Sequence, residues 1–534
     1  MKIKFKKNYS QLNSLSGVKC SGTSFLVKFL VSYSLITVLH FSISADAQDK
    51  TKEVDKIFSW ATSETPGSSV VISLNGTVVV NRADGLADLE HGIAITPETT
   101  FDIGSTRKQF IAAAVLLLVQ DKRLSLSDDI HKFVPELPDY GHKITIDHLL
   151  THTSGIRDWT GLLPLANGDP TALTLILRQR GLNFKPGDEW SYSNSGYVLL
   201  TEIVSRITGM PFSEFIRKRV FEPTGMNMTT YVSDMQQIIK NQALGYEKNA
   251  NVWKINMHLG NDRGGGAIFS TAIDLNAWNN ALSSKKLGEF VTEKLKEPAA
   301  LNNGRELGYA RGLFLDSYRD MKLVWHSGSA AGYNSWLGRI PSLGLSISVL
   351  CNSDAVAASA IANQLLNLYV NSSGTTPLED GPPPMLTGEA LEEIKKLAGL
   401  YYNEETGESI RLSVDRDRFR IAGGPGLAAV SKGRYRRWGA TVYFMSQDKF
   451  ELNFLSDDKF ELKSMEGAIK RYNRALPYTH TPTELDAFTG RYKNDEIGAF
   501  FDMTVVNNVL RGRANDAPGD GFIFTPVKLD TFQL

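Results

Sequence analysis

Phe101-Asp-Ile-Gly-Ser105-Thr-Arg-Lys108-Gln-Phe110 is the stretch on which the reading of this chain turns. Gly104 closes an extended segment. From Ser105 to Arg123 there is neither Pro nor Gly, only an Ala-, Leu- and Val-rich run that predicts a buried helix. Ser105 and Lys108 lie three apart and so share one helical face. A serine hydroxyl is a weak nucleophile until a neighbour takes its proton. A lysine can take it when burial and the positive end of a helix dipole lower its pKa. Taken alone, Ser-x-x-Lys is common by chance and fits a helix N-cap beside a solvated lysine equally well.

Two more segments bear on the choice. Glu189-Trp-Ser-Tyr192-Ser-Asn194-Ser-Gly-Tyr197 sets Tyr-x-Asn before another predicted helix, about 197–207. Tyrosine passes protons where a cation lowers its pKa, and an Asn amide orients a lysine and a substrate carbonyl. An aromatic loop packed on a helix fits the same residues. In Val324-Trp-His326-Ser-Gly328-Ser329-Ala-Ala-Gly332 an apolar strand runs into a glycine turn. Such an edge can align a substrate peptide, and the N–H groups of Ser329 and Ser105 could frame an oxyanion hole. His326 by itself reads better as a structural histidine.

In the order S-x-x-K, Y-x-N, H-x-G, the three are far more specific than any one. The chain here resembles the serine β-lactamase and penicillin-binding-protein superfamily, in its class C β-lactamase-like branch, which includes D-aminopeptidases, D-Ala-D-Ala carboxypeptidases and esterases. His148-Leu-Leu-Thr-His152-Thr-Ser-Gly155 and the run from Gly264 through Asp274 to Leu275 are similar to the same branch. The resemblance covers roughly residues 60–370. It implies an antiparallel sheet flanked by helices, with Ser105 as the acylated nucleophile and Lys108 as its proton acceptor. Tyr192 would protonate the leaving group and activate the deacylating water. Asn194 would position substrate, His326 would support Tyr192 and bind substrate, and Gly328 and Ser329 would lie on the oxyanion side.

One residue departs from the pattern. β-Lactamases of this branch carry Lys where this chain has His326. A histidine near pKa 6.5 is mostly neutral at pH 7, so a substrate carboxylate is held less firmly. His at this place resembles the D-aminopeptidase and esterase members. The resemblance therefore implies a serine hydrolase acting on D-amino-acid peptides, amides or esters. The alternatives are a carboxylesterase or β-lactamase of the same fold, or a penicillin-binding or peptidoglycan-sensing protein that turns over slowly. The expected partner is a small-molecule or short peptide substrate, cell-wall material among the candidates. No cofactor is called for. His148 and His152 stand i, i+4, which could place two imidazoles on one helical face, but the Glu of H-E-x-x-H is missing and no metal is expected. No G-x-S-x-G occurs anywhere, which argues against an α/β-hydrolase.

Around this centre the chain divides readily. Residues 1–47 read as a signal peptide: six lysines precede or enter an apolar run, Phe25–Ile43, that ends in Ala45-Asp-Ala47. Lys28 interrupts that run and leaves it short of a membrane span, so no stable anchor is expected after cleavage. The whole chain balances 58 basic against 58 acidic residues over 534, and losing the leader leaves it about five negative. That balance argues against a nucleic-acid binder. Of two cysteines, Cys20 would leave with the leader, so Cys351 has no internal partner. The expected location is a bacterial periplasm or the exterior.

The expected hydrolase spans 48–373. Its elements are a hairpin, Ser69–Leu74 and Thr77–Val80 about Asn75-Gly76, then helices near 172–180, then strands at 322–325, 335–339 and 345–351. A Pro/Gly-rich linker, 374–388, follows. Beyond it Gly399, Tyr401, Glu405, Gly407, Val414 and Arg420 recur as Gly490, Tyr492, Glu496, Gly498, Val505 and Arg511, all offset by 91. Two copies of one β module follow from this, 389–478 and 479–534, the second stopping before the first does. D-Aminopeptidases of the branch carry two lipocalin-like barrels in this place, which the resemblance extends to this tail.

Overall fold

The computed structural model describes residues 50, 52–234, 236–250, 252–257, 266–370, 383–422, 425–438, 450–464, 469–476, 478–516, 519, 521–528 and 530–533. The expected leader lies outside the described residues, as do linker residues 374–382 and positions 264–265 of the glycine run. The chain divides into two units, up to Ser59 and from Trp60 onward; the first contains a short helix over 52–57.

The second unit is organised on a six-stranded antiparallel sheet. Its strands are β1 (Ser68–Leu74), β2 (Thr77–Asp84), β3 (Phe314–Tyr318), β4 (Met321–Ala330), β5 (Tyr333–Ile340) and β6 (Leu345–Cys351), in the order β3-β4-β5-β6-β1-β2. Strand β1 pairs with β6 from Ser68↔Cys351 to Leu74↔Leu345, so the two ends of the domain close one sheet. The hairpin turn is legible in two residues: Asn75 and Gly76 take φ of 49° and 82°, the left-handed pair that a two-residue turn between twisted strands requires.

Helix α1 (Lys108–Gln120) lies in the core, with every residue from Lys108 to Leu118 buried. Phe110 sits 4.7 Å from the Trp278 ring and 6.0 Å from Phe221. The predicted helix from Ser105 to Arg123 differs at both ends. Residues Gly104–Arg107 form a 3-10 turn, and Lys122 turns left-handed at φ 60°. The 3-10 turn helps the chemistry, because three residues per turn eclipse positions i and i+3. Helix α2 (Ile146–Leu150) ends two residues before His152, and α3 (Asn194–Thr208) opens at the predicted Tyr-x-Asn segment.

In the tail, strands β7 (Gly399–Tyr402), β8 (Ser409–Asp415), β9 (Arg418–Ile421), β10 (Leu427–Ser431), β11 (Arg434–Arg437), β12 (Phe450–Ser456), β13 (Lys459–Ser464) and β14 (Ile469–Arg474) form one eight-stranded sheet. A bridge between Arg420 and Gly426 brings its two end strands together, so the barrel nearly closes around Tyr401, Phe419, Phe460 and Tyr472. Next come β15 (Gly490–Asn494), β16 (Ala499–Val506), β17 (Val509–Ala514) and β18 (Phe522–Ile523), a four-stranded sheet. The repeat is structural as well as sequential. Arg416 and Asp417 turn the β8–β9 hairpin with positive φ, and Asn507 and Asn508, 91 residues on, turn β16–β17 in the same way.

Candidate active site

The site forms where the 3-10 turn meets strand β4. Gly104 (φ 50°) has no room for a side chain: a Cβ there would stand 2.6 Å from the backbone N of Ser329. The approach that glycine allows sets the backbone of Ser329 against the turn carrying Ser105, as the predicted oxyanion pair requires. Gly328 serves the same contact, since a Cβ on it would lie 2.0 Å from the carbonyl O of Ile103. The absence of a side chain at Gly328 thus lets β4 pack directly against the serine turn. Thr106 Oγ1 is 2.8 Å from Ser335 Oγ, and Ser335 Oγ donates to Ile103 O at 2.7 Å, fastening the turn to β5.

Lys108 Nζ lies 3.1 Å from Ser105 Oγ and donates to Asn194 Oδ1 at 2.7 Å. It also stands 4.6 Å from the centre of the Tyr192 ring. The amine is buried, 1% exposed, and burial holds its pKa well below the ordinary lysine value, with the charge of Arg107 adding to the effect. A neutral amine keeps an N–H for Asn194 and has a lone pair for the serine proton. The Ser105 hydroxyl is near enough to that of Tyr192 to act on its ionisation. Here the expectation of a cation-lowered phenol fails: burial outweighs the neighbouring positive charge and raises the Tyr192 pKa above its ordinary value. Tyr192 is a protonated phenol, suited to giving a proton.

His326, 2% exposed, donates from Nδ1 to the Ser327 carbonyl at 2.6 Å, which leaves Nε2 as the lone-pair nitrogen. Its ring centre is 6.3 Å from that of Tyr192 and 4.7 Å from Phe314. Burial, reinforced by Lys108, pushes its pKa down to about 3, so the ring is neutral throughout the physiological range.

Residues 54–371 match the protein family described as Beta-lactamase. The chain belongs to the β-lactamase family. Among its relatives, penicillin-binding protein 4* of Bacillus subtilis is 29% identical over 324 residues, 55% of this chain and 69% of that one. The octameric penicillin-binding protein homologue from Pyrococcus abyssi superposes with a TM-score of 0.54 at 24% identity, covering 81% of this chain and all of that one. D-amino acid amidase from Ochrobactrum anthropi covers 59% of this chain and 98% of its own, with a TM-score of 0.50 at 25% identity. The chain is thus a β-lactamase-fold serine hydrolase with an all-β tail.

Several residues of this β-lactamase-family site were not visible in the sequence. Asp158 accepts from Asn194 Nδ2 at 2.9 Å, so the amide is held at both ends. Asp158 precedes a short helix, which marks it as a cap, but nothing local names a partner 36 residues away. The tail reaches the same loop. Glu496 accepts from Arg157 Nη1 at 2.9 Å and from the backbone N of Arg180 at 2.7 Å, and Ile497 O accepts from Asn167 N at 3.2 Å. His148 and His152 are not on one helical face. His148 Nδ1 caps α2 by accepting from Thr145 N, and His152 has left the helix with φ 60°. No cluster of three or more metal-ligating side chains is present among the described residues.

Proposed function

We propose that this protein is an exported serine hydrolase that works through an acyl-enzyme on Ser105, its substrates being D-amino-acid peptides, amides or esters. The observation that carries the reading is the buried Lys108 amine, its pKa held well below the ordinary lysine value, 3.1 Å from Ser105 Oγ and fixed there by Asn194. Lys108 takes the serine proton as Oγ attacks the substrate carbonyl, and the backbone N–H groups of Ser105 and Ser329 receive the developing oxyanion. The bond to the leaving group then breaks. Tyr192 gives that group its proton and is restored by the one Lys108 holds. In the second half, water loses a proton to Lys108, its oxygen attacks the acyl carbon, and Ser105 departs with a proton returned to it.

The neutral ring of His326 supports substrates without a free carboxylate at that place, against penicillins and C-terminal carboxylates. The likeness to a D-amino acid amidase and the paired β modules support the D-amino-acid class. Export is supported by the lysine-rich leader and Ala45-Asp-Ala47. The test is a substrate panel: D-alanine p-nitroanilide, its L-isomer, p-nitrophenyl acetate and nitrocefin, with Ser105→Ala as control. Preference for the D-anilide bears the reading out. Preference for acetate or nitrocefin makes the protein an esterase or β-lactamase. Acylation of Ser105 by a fluorescent penicillin without turnover of any substrate makes it a binding protein. Unchanged fluorophosphonate labelling of Ser105→Ala would overturn the nucleophile itself.

A further inference from the structure

His152 touches the segment around Tyr192 on both sides. Its carbonyl O accepts from Ser191 N at 3.0 Å, and its ring nitrogen Nδ1 accepts from Ser193 N at 3.2 Å. Between these two anchors, its ring lies against that of Tyr192, with centres 4.3 Å apart at 38°. The left-handed backbone at His152 is what lets one residue present carbonyl and ring to the same strand of chain. The ring itself is fixed from behind. Because Nδ1 accepts, Nε2 carries the hydrogen and donates to Tyr309 Oη at 3.1 Å. The His152 ring also packs 4.9 Å from that of Tyr309 and 5.2 Å from that of Tyr197, and Tyr197 Oη donates to Leu150 O at 2.8 Å, at the end of α2. His152, Tyr309 and Tyr197 are 1%, 0% and 2% exposed.

We infer that His152 is a positioning residue for Tyr192, an imidazole clamp that holds the phenol near Ser105 and Lys108 while Tyr309 fixes the ring from behind. The inference rests on the acid role given to Tyr192 above. Protonation of Nδ1 would point a second donor at the Ser193 N–H. Burial is the main cause that keeps the His152 pKa well below its ordinary value and the ring neutral. Displacement of a reacting group by about 1 Å costs on the order of 100-fold in rate, which sets the scale expected when the clamp is lost.

The test uses the full chain and two leaving groups. An anilide must be protonated to leave, whereas p-nitrophenolate leaves as the anion, so loss of a proton donor slows the first far more than the second. His152→Ala is expected to lower kcat on D-alanine p-nitroanilide about 100-fold, to leave KM within about threefold, and to slow p-nitrophenyl acetate much less. Tyr192→Phe should show the same skew. The double variant should be no slower than Tyr192→Phe alone, since His152 acts only through that phenol. His152→Asn, which tolerates a left-handed backbone and keeps an acceptor near Nδ1, should recover part of the loss and serves where the Ala variant does not fold.

Equal losses on both substrates, or losses that multiply in the double variant, would overturn the inference and leave His152 a folding residue. A skewed Tyr192→Phe beside an unskewed His152→Ala would overturn it too. If Tyr192→Phe is itself unskewed, the acid role of Tyr192 falls first and takes the inference with it. If the unaltered protein cleaves neither substrate, the proposed function is what fails.

Discussion

Replacing Lys108 by Met separates what this side chain costs the fold from what it does for the reaction. Met has nearly the same length and shape, so the space stays filled and only the amine is lost. Lys108 is 1% exposed and its pKa is depressed by burial, then by Arg107. Between that lowered value and the unfolded lysine value of about 10.4, the unfolded chain binds a proton that the folded chain does not. Stability therefore rises with pH through this window, by up to about 1.4 kcal/mol per pH unit, and the penalty is gone above it. The Met variant lacks this slope. Its stability relative to the parent should thus be highest at the low end of the window and should shrink by up to about 1.4 kcal/mol from pH 8 to pH 9. A constant cost of about 1–3 kcal/mol for leaving Asn194 Oδ1 without its donor runs against the variant at every pH. Meanwhile the rate of Ser105 labelling by a fluorophosphonate should fall by about 10²–10⁴, or roughly 3–5 kcal/mol of barrier. Urea unfolding of both proteins at pH 7, 8 and 9, with labelling rates alongside, reads both quantities. A stability difference that does not change with pH would refute the depressed lysine pKa. Labelling within tenfold of the parent would refute its role as base.

Gly328→Ala should cut Ser105 labelling at least 100-fold, because its Cβ would enter the carbonyl of Ile103 and push the serine turn off β4; labelling kinetics check this. Glu496→Ala should leave labelling within about threefold but lower stability by roughly 1 kcal/mol, as the pair with Arg157 is partly exposed; thermal unfolding reads the loss. Acid should destabilise the protein through His152 and His326. Both native pKa values are depressed, so below about pH 6.5 the unfolded chain gains protons that the folded chain does not, at up to about 1.4 kcal/mol per pH unit each. Urea midpoints that stay flat from pH 7 to pH 5 would contradict this.

What could be read from residue order was whatever local spacing dictates. Ser105 and Lys108 belong to one turn, so their partnership is local, although the turn proved to be 3-10 rather than α. Asn75-Gly76 fixes its hairpin because few other pairs accept two left-handed residues in succession. The tail repeat was visible as six identities in register, and its turns at 416–417 and 507–508 follow the same offset. Periodicity misled at His148 and His152, since the helix between them stops at Leu150 and the spacing no longer describes one face.

Only the folded chain decides the rest, because it depends on contacts between distant residues and on burial. Nothing near Asn194 announces Asp158, and nothing near Arg157 announces Glu496, 339 residues on. The ionisation states, too, follow from enclosure rather than from residue type. Removing water from Lys108, His326 and Tyr192 moves all three toward their neutral forms, and it is the third dimension that removes it.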